Sequence, residues 1–260
     1  MLVYHQLTKE FNAGRVRAVL CSGQAVVMHR LAITSKDGDW IVRENQEDLT
    51  HILDILSNYG AVYRFGAPLD ARWLSGGWSA HFEFRHEGIR ARTDFFTRPP
   101  RISESDLDLI WKSSDQVPIP FTGLKPLALM KMTMREKDYP IIGELARRIE
   151  NINDQLLLSR SPRDLIRLTS EHPDATSRIT SQRPLLAIAK QGEDALAVAL
   201  DAERRTLMKA DEARLTRFKN ASQAWEANWS ALSNQIAGLP LAQAHEHICS
   251  AALTLLPSTA

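Results

Sequence analysis

Two aspartates and a small-residue turn in the stretch from Leu20 to Val42, LCSGQAVVMHRLAITSKDGDWIV, carry the reactive potential of this sequence. The stretch opens with a small-residue turn, Ser22-Gly23, at the start of a predicted helix, Gln24 to His29. It closes with Asp37-Gly38-Asp39 running into a predicted strand, Trp40-Ile41-Val42. Side chains on a strand alternate faces, so residues two apart put both carboxylates on one side. Two like charges held so close repel unless a divalent cation sits between them. A third carboxylate, Asp94, lies in another strand-like run, RARTDFF. Three carboxylates on neighbouring strands beside such a turn suit a Mg²⁺–phosphate site. The turn's N–H groups and the helix N-terminus would bind phosphate oxygens. The carboxylates would hold metal for an in-line phosphoryl or nucleotidyl displacement. From spacing alone the alternative stays open: a polar turn and two unrelated surface acids.

The elements that must position these residues fall into two textures. Over residues 1–100, Asp48 to Tyr59 has helical spacing at Leu49, Ile52, Leu53 and Leu56, with Gly60 as its C′ residue. GDWIV, AVYRF, AHFEFR and IRARTDFF alternate or are β-rich and read as strands. Strands interleaved with helices predict an α+β or α/β core. From about Ser103 onward the periodicity is helical, and nothing reads clearly as a strand. The expected division is a core over 1–120 and a helical region over 121–260. Phe218, Ser222, Trp225, Trp229, Leu232 and Ile236 have heptad spacing. Leu196, Leu200 and Leu207 continue it upstream, which predicts one long helix over about 192–237. Such a helix packs on its own domain or forms a coiled-coil, self-associating or partner-binding arm.

The Leu20–Val42 stretch resembles the signature of the DNA polymerase β-like nucleotidyltransferase superfamily: a hydrophobic residue, Gly-Gly or Gly-Ser, about ten to thirteen residues, then Asp-x-Asp. It is especially similar to small bacterial members from toxin–antitoxin and abortive-infection systems. Ser22, Gly23, Ala25, Val26, His29, Ser35, Asp37 and Asp39 carry the likeness. Asp94 sits where the family's third, strand-borne carboxylate would be. The helical-looking LKPLALMKMTMREKDYPIIGEL approximates a further family segment through Lys131, Arg135, Lys137 and Asp138. The resemblance covers about residues 15–150.

What it implies is a nucleotidyltransferase-like mixed sheet with helices, an α+β fold, followed by an all-helical C-terminal region. It further implies Mg²⁺ (or Mn²⁺) held by Asp37, Asp39 and Asp94. An NTP substrate would be held by Ser22, Gly23, Lys131 and Arg135. Three positions depart from the pattern. Ser22 replaces the usual first Gly, where a Cβ crowds a turn or a φ that Gly adopts easily. Gly38 replaces an apolar residue, and Gly weakens a strand. Ile33 stands where an Arg usually lies, with Arg30 nearby.

Composition narrows the classes. The chain has 260 residues, 44% of them hydrophobic, and a formal net charge of +1. That balance fits a folded chain and gives no overall electrostatic footprint for nucleic acid. Two cysteines, Cys21 and Cys249, are too few for a disulfide framework. No basic-then-apolar leader opens the sequence, and no run reaches the length of a membrane span. The expectation is a cytoplasmic protein with no membrane contact. His245 and Cys249, four apart, share a helical face but are too few for a structural zinc site. Trp73, Gly76, Gly77 and Trp78 read as a strand connection with buried tryptophans or as the wall of a base pocket.

Two functions follow. The first is a nucleotidyltransferase moving an NMP from an NTP to a hydroxyl on a tRNA end, a protein side chain or a small molecule, in a toxin–antitoxin or phage-defence system. The second is a degenerate member of the same fold that binds a nucleotide or a protein partner.

Overall fold

The computed structural model describes residues 2–260 as an α+β chain. Their contacts form two compact units, 1–122 with 215–260, and 123–214. The boundary at 214/215 falls inside a helix. Residues 215–260, expected with the helical region, therefore pack with the sheet.

The first unit begins with α1 (Leu2–Phe11), β1 (Ala18–Cys21), α2 (Ser22–Met28) and β2 (Asp37–Val42). It continues through α3 (Gln46–Asn58), β3 (Val62–Tyr63), α4 (Ala71–Leu74), β4 (Ala80–His86), β5 (Ile89–Phe96) and α5 (Glu104–Ser114). The strands make one mixed sheet in the order β1-β2-β5-β4-β3, with β2 and β5 parallel and the other pairs antiparallel. Neither α1 nor β1 is among the elements expected above: the α1 stripe of Tyr4, Leu7 and Phe11 is brief, and β1 is four residues buried on both faces, with no alternation. The run AVYRF supplies only the two residues of β3, because Arg64 leaves the ladder after pairing its N–H with His81 O.

Alternation assigns the faces. Ala18, Leu20, Trp40, Val42, Ala91, Phe95, Phe82 and Phe84 turn to one side and are buried. Leu7 and Phe11 of α1 and Leu49, Ile52 and Leu56 of α3 close over that side. Trp40 stacks on Phe95 at 5.3 Å between ring centroids, and its Nε1 donates to Thr8 Oγ1 at 2.9 Å. The Asn45 side chain caps α3 by accepting the Asp48 amide, and Gly60 follows its end with φ of 65°.

The expected helix over 192–237 is two, α11 (Glu193–Ala221) and α12 (Gln223–Ile236), before α13 (Leu241–Leu255). Ser222, buried, breaks the run with φ −92° and ψ 6°. The heptad stripe belongs to the first unit's own core. Trp225, Leu232 and Ile236 are buried in it, and Phe218 and Trp229 pack against it. Trp225 Nε1 donates to Gly66 O at 3.0 Å, and Phe218 meets Trp78 edge-on. A stripe covered this way is not a seam for a coiled coil.

The second unit holds α6 (Leu124–Met130), α7 (Tyr139–Arg148), α8 (Ile152–Leu158), α9 (Pro162–Glu171), α10 (Pro173–Thr180) and most of α11. Leu156, Leu165, Leu168, Ile179, Leu186, Leu196 and Leu200 make its core. Among the described residues no helix is long and apolar enough to cross a membrane.

Candidate functional site

The polar face of the sheet carries the aspartates. In the β2–β5 ladder Asp39 is the direct partner of Asp94, and Asp37 is the partner of Arg92. Asp37 and Asp39 are two residues apart on β2 and so share that face. His81 on β4 is the partner of Asp94 on its other side. One row across the sheet therefore reads Cys21, Asp39, Asp94, His81.

Hydrogen bonds fix Asp94. Its Oδ1 faces His81 Nδ1 at 2.7 Å and Arg64 Nη1 at 3.4 Å. His81 is held in turn, its Nε2 3.1 Å from Ser79 Oγ. Gly66 leaves room for the imidazole, since a Cβ there would lie 2.3 Å from His81 Cδ2. Asp37 differs: its Oδ1 is buried and meets no hydrogen-bond donor. An orphaned buried carboxylate oxygen is costly. Tyr4 lies within electrostatic reach of all three aspartates. Burial raises the Tyr4 phenol's pKa first of all; the Arg92 amide opposes this, and Asp37, Asp39 and Asp94 add to it.

The first turn of α2 opens on two small residues. Ser22 has φ of 51°, in the left-handed region where Gly is at ease and a Cβ is crowded. Gly23 passes so close to Ser35 that a Cβ would lie 2.2 Å from Ser35 Oγ. Gln24, fully buried, donates its Nε2 to Ser35 O and Asp37 O at 3.1 and 3.3 Å, tying α2 to the start of β2. His29 ends α2 with its Nε2 2.9 Å from Thr122 O. Ile33 is 96% exposed, so no side chain there fills the role of the missing Arg.

The second family segment is not one helix. α6 stops at Met130, and Arg135, Lys137 and Asp138 lie in a turn and a short 3₁₀ segment. The chain leaves the helix because Asp211 Oδ2 takes the Met134 amide and Thr133 Oγ1 takes that of Arg135. Lys131 is buried, with Nζ 3.3 Å from Asp138 Oδ1; Arg135 Nε is 3.2 Å from Asp138 Oδ2. Both predicted phosphate-binding cations thus share one carboxylate.

A cleft of about 1140 Å³ reaches Asp37, with Tyr4, Lys9, Ser35, Lys36 and Arg92 in its wall. Sequence reasoning missed Tyr4, Gln24, Arg64 and His81, because their roles depend on strand register and on α1. The tryptophan turn does not wall a base pocket. Trp73 Nε1 donates to Leu256 O and Trp78 Nε1 to Pro257 O, at 3.0 and 2.9 Å, and both rings are buried. His245 and Cys249 do meet, Nε2 to Sγ at 3.5 Å, but burial pushes the thiol up to about 12, so it is no thiolate.

The donor set suits a hard divalent cation in chemistry: carboxylate oxygens, one of them orphaned. Among the described residues, however, no group of three or more His, Cys, Asp and Glu side chains is gathered closely enough to hold a metal ion.

No protein-family model matches the chain, and no curated protein matches it in sequence. Two solved structures are similar to it. One, from H. pylori, is described as a provisionally assigned nucleotidyltransferase; it is 13% identical, with a TM-score of 0.40 over 82% of this chain and 96% of that one. The other, JHP933 from Helicobacter pylori, is 13% identical, with a TM-score of 0.39 over 84% of this chain and 96% of that one. Likeness at this level does not identify a reaction.

Proposed function

We propose that the chain is a nucleotidyltransferase that moves an NMP from an NTP to a hydroxyl acceptor. The observation that carries the reading is the pairing of Asp39 with Asp94 across parallel strands, with Asp37 on the same face and its Oδ1 buried and orphaned. Asp37, Asp39 and Asp94 are the groups that would hold Mg²⁺ or Mn²⁺, and they would have to draw closer together to do so. Such a cation, when bound, neutralises charge on the triphosphate and on the attacking oxygen. The chain's own residues do the rest by position. Arg64 and His81 fix Asp94 against β4 through its Oδ1. Gln24 fixes the Ser22-Gly23 turn against the entrance of β2. Tyr4 Oη, donating to Lys36 O at 2.7 Å, closes the sheet edge beside Asp37. The acceptor belongs to the same proposal: a tRNA end, a protein side chain or a small molecule, in a toxin–antitoxin or phage-defence setting.

Incubation with each α-labelled NTP, Mg²⁺ or Mn²⁺ and candidate acceptors tests it. Label transfer that disappears in Asp37→Asn/Asp39→Asn is the expected result; no transfer and no NTP binding would reject it.

A second reading has its own observation. Asp94 Oδ1 already has two cationic or hydrogen-bonding neighbours, His81 and Arg64, which together occupy one side of the carboxylate. That suits a fold that keeps its carboxylates as structural partners and binds a nucleotide or a protein without catalysis. Tight NTP binding without turnover would favour it.

A further inference from the structure

The second unit contains a charge imbalance that the proposed reaction does not use. Arg183 is buried and Arg160 nearly so, their side chains 4% and 10% exposed, and they share one carboxylate, Glu203. Arg183 donates Nε and Nη2 to Glu203 at 2.9 and 2.8 Å, and its remaining donors reach Leu156 O and Ser159 O. Arg160 donates Nη1 to Glu203. Its Nε meets no acceptor, and its Nη2 reaches only Met132 Sδ, at 3.4 Å, a weak acceptor. Two guanidiniums against one carboxylate leave an excess positive charge where little water reaches the Arg160 side chain. That is costly unless an anion joins it. Burial, and then the like charge of Arg183, hold the Arg160 pKa below its ordinary value.

A cavity of about 550 Å³ has Arg160 in its wall, with Arg147 and Arg204 and, facing them, the carboxylates Glu136, Glu144 and Asp201. The acids around it are already engaged. Arg147 pairs with Glu144 and Asp164, and Arg204 with Glu136 and Asp201. Ser161 caps the ten-residue α9 by accepting the Asp164 amide, so the positive end of that helix dipole lies on the same wall.

We propose that this cavity is an anion site that takes a phosphate group, free or carried by a small ligand. The guanidinium fork pairs two phosphate oxygens at once. The volume lies in the range of small-ligand pockets.

Calorimetric titration of the full chain with inorganic phosphate, in EDTA and at constant ionic strength, tests this. Saturable binding at one site per chain is expected. Arg160→Met should weaken it at least about tenfold. That variant keeps its fold, because Glu203 retains Arg183. Arg204→Gln, at the cavity wall, serves as a second variant and should weaken binding less. Asp37→Asn/Asp39→Asn should bind phosphate as the unmodified chain does, which separates this site from the proposed NTP site. A nucleoside monophosphate that binds more tightly than phosphate identifies a carried group; equal binding identifies the free ion. Undiminished affinity in Arg160→Met, loss in the aspartate double variant, or no saturable binding overturns the proposal.

Discussion

Gly38 lies against the ring of Tyr4: a Cβ at Gly38 would come within 2.5 Å of Tyr4 Cδ1 and 2.4 Å of Trp40 Cη2. The departure from the apolar residue between the two aspartates therefore has a partner elsewhere in the chain. The helix α1 supplies the aromatic volume that the strand itself lacks. Restoring a large residue, Gly38→Ile, should overpack this spot and destabilise by about 1–3 kcal/mol. In the Tyr4→Ala background the same change should cost clearly less, because the ring is gone. Urea unfolding of the four proteins measures both, and additivity would refute the packing argument.

Ser22 carries a positive φ that a Cβ disfavours. Ser22→Gly should stabilise the chain by about 1 kcal/mol with no change in the denaturant slope. If stability falls instead, the Ser22 side chain contributes more than its backbone costs.

Asp37 Oδ1 is buried without a donor. A divalent cation that binds there should raise stability by RT ln(1 + [M]/Kd), about 2.7 kcal/mol at a hundredfold excess over Kd. Asp37→Asn/Asp39→Asn should remove that gain and be no less stable than the unmodified chain without metal, since mutual repulsion is relieved. Thermal melts with millimolar Mg²⁺, Mn²⁺ and NTP read this directly. Melting points that ignore the metal would move the assignment to the non-catalytic reading.

His245 is held neutral by burial, with Asp70 and Glu246 opposing, and its pKa lies below 6.5. The unfolded chain binds a proton there that the folded chain refuses. This contribution to stability is present above the unfolded pKa and is lost as pH falls from about 6.5 toward the folded value. Stability should thus rise with pH across that window, and His245→Gln should flatten the slope. Tyr63 Oη, 2.7 Å from His245 Nδ1, is the bond whose rupture accompanies the loss. An unchanged slope in the variant would assign the pH dependence to other groups.

The C-terminal segment passes so close to Gly76 that a Cβ would lie 1.7 Å from Ser258 O. Gly76→Ala should displace residues 256–259 and free the Trp73 and Trp78 indoles from their carbonyl partners. A red shift in tryptophan emission is the expected readout; an unshifted spectrum would mean the turn yields instead.

Composition and period along the chain show the strands that bear the aspartates, a helix over 48–59 (observed as Gln46–Asn58) and the heptad stripe. Each is a local repeat of apolar residues, and period alone reports which face of an element is covered. The sequence also marks a helix near Ser22-Gly23, which the structure starts two residues earlier than expected, at Ser22. How these parts combine is set by strand pairing and packing. Parallel pairing of β2 with β5 sets Asp39 beside Asp94, and antiparallel pairing of β4 brings His81 to the same carboxylate; neither register is encoded in spacing along one strand. Tyr4 explains Gly38 from 34 positions away. Residues 215–260 return to the sheet because Trp225 and its stripe find their apolar partners there rather than among the helices that precede them. Lys131 and Arg135 looked ready for phosphate, yet Asp138 holds both, since a turn stabilised by Asp211 replaces the expected helix. Side-chain type and spacing limit what a residue can do. Which partner it meets depends on contacts distant in sequence, and those are fixed only when the chain closes on itself.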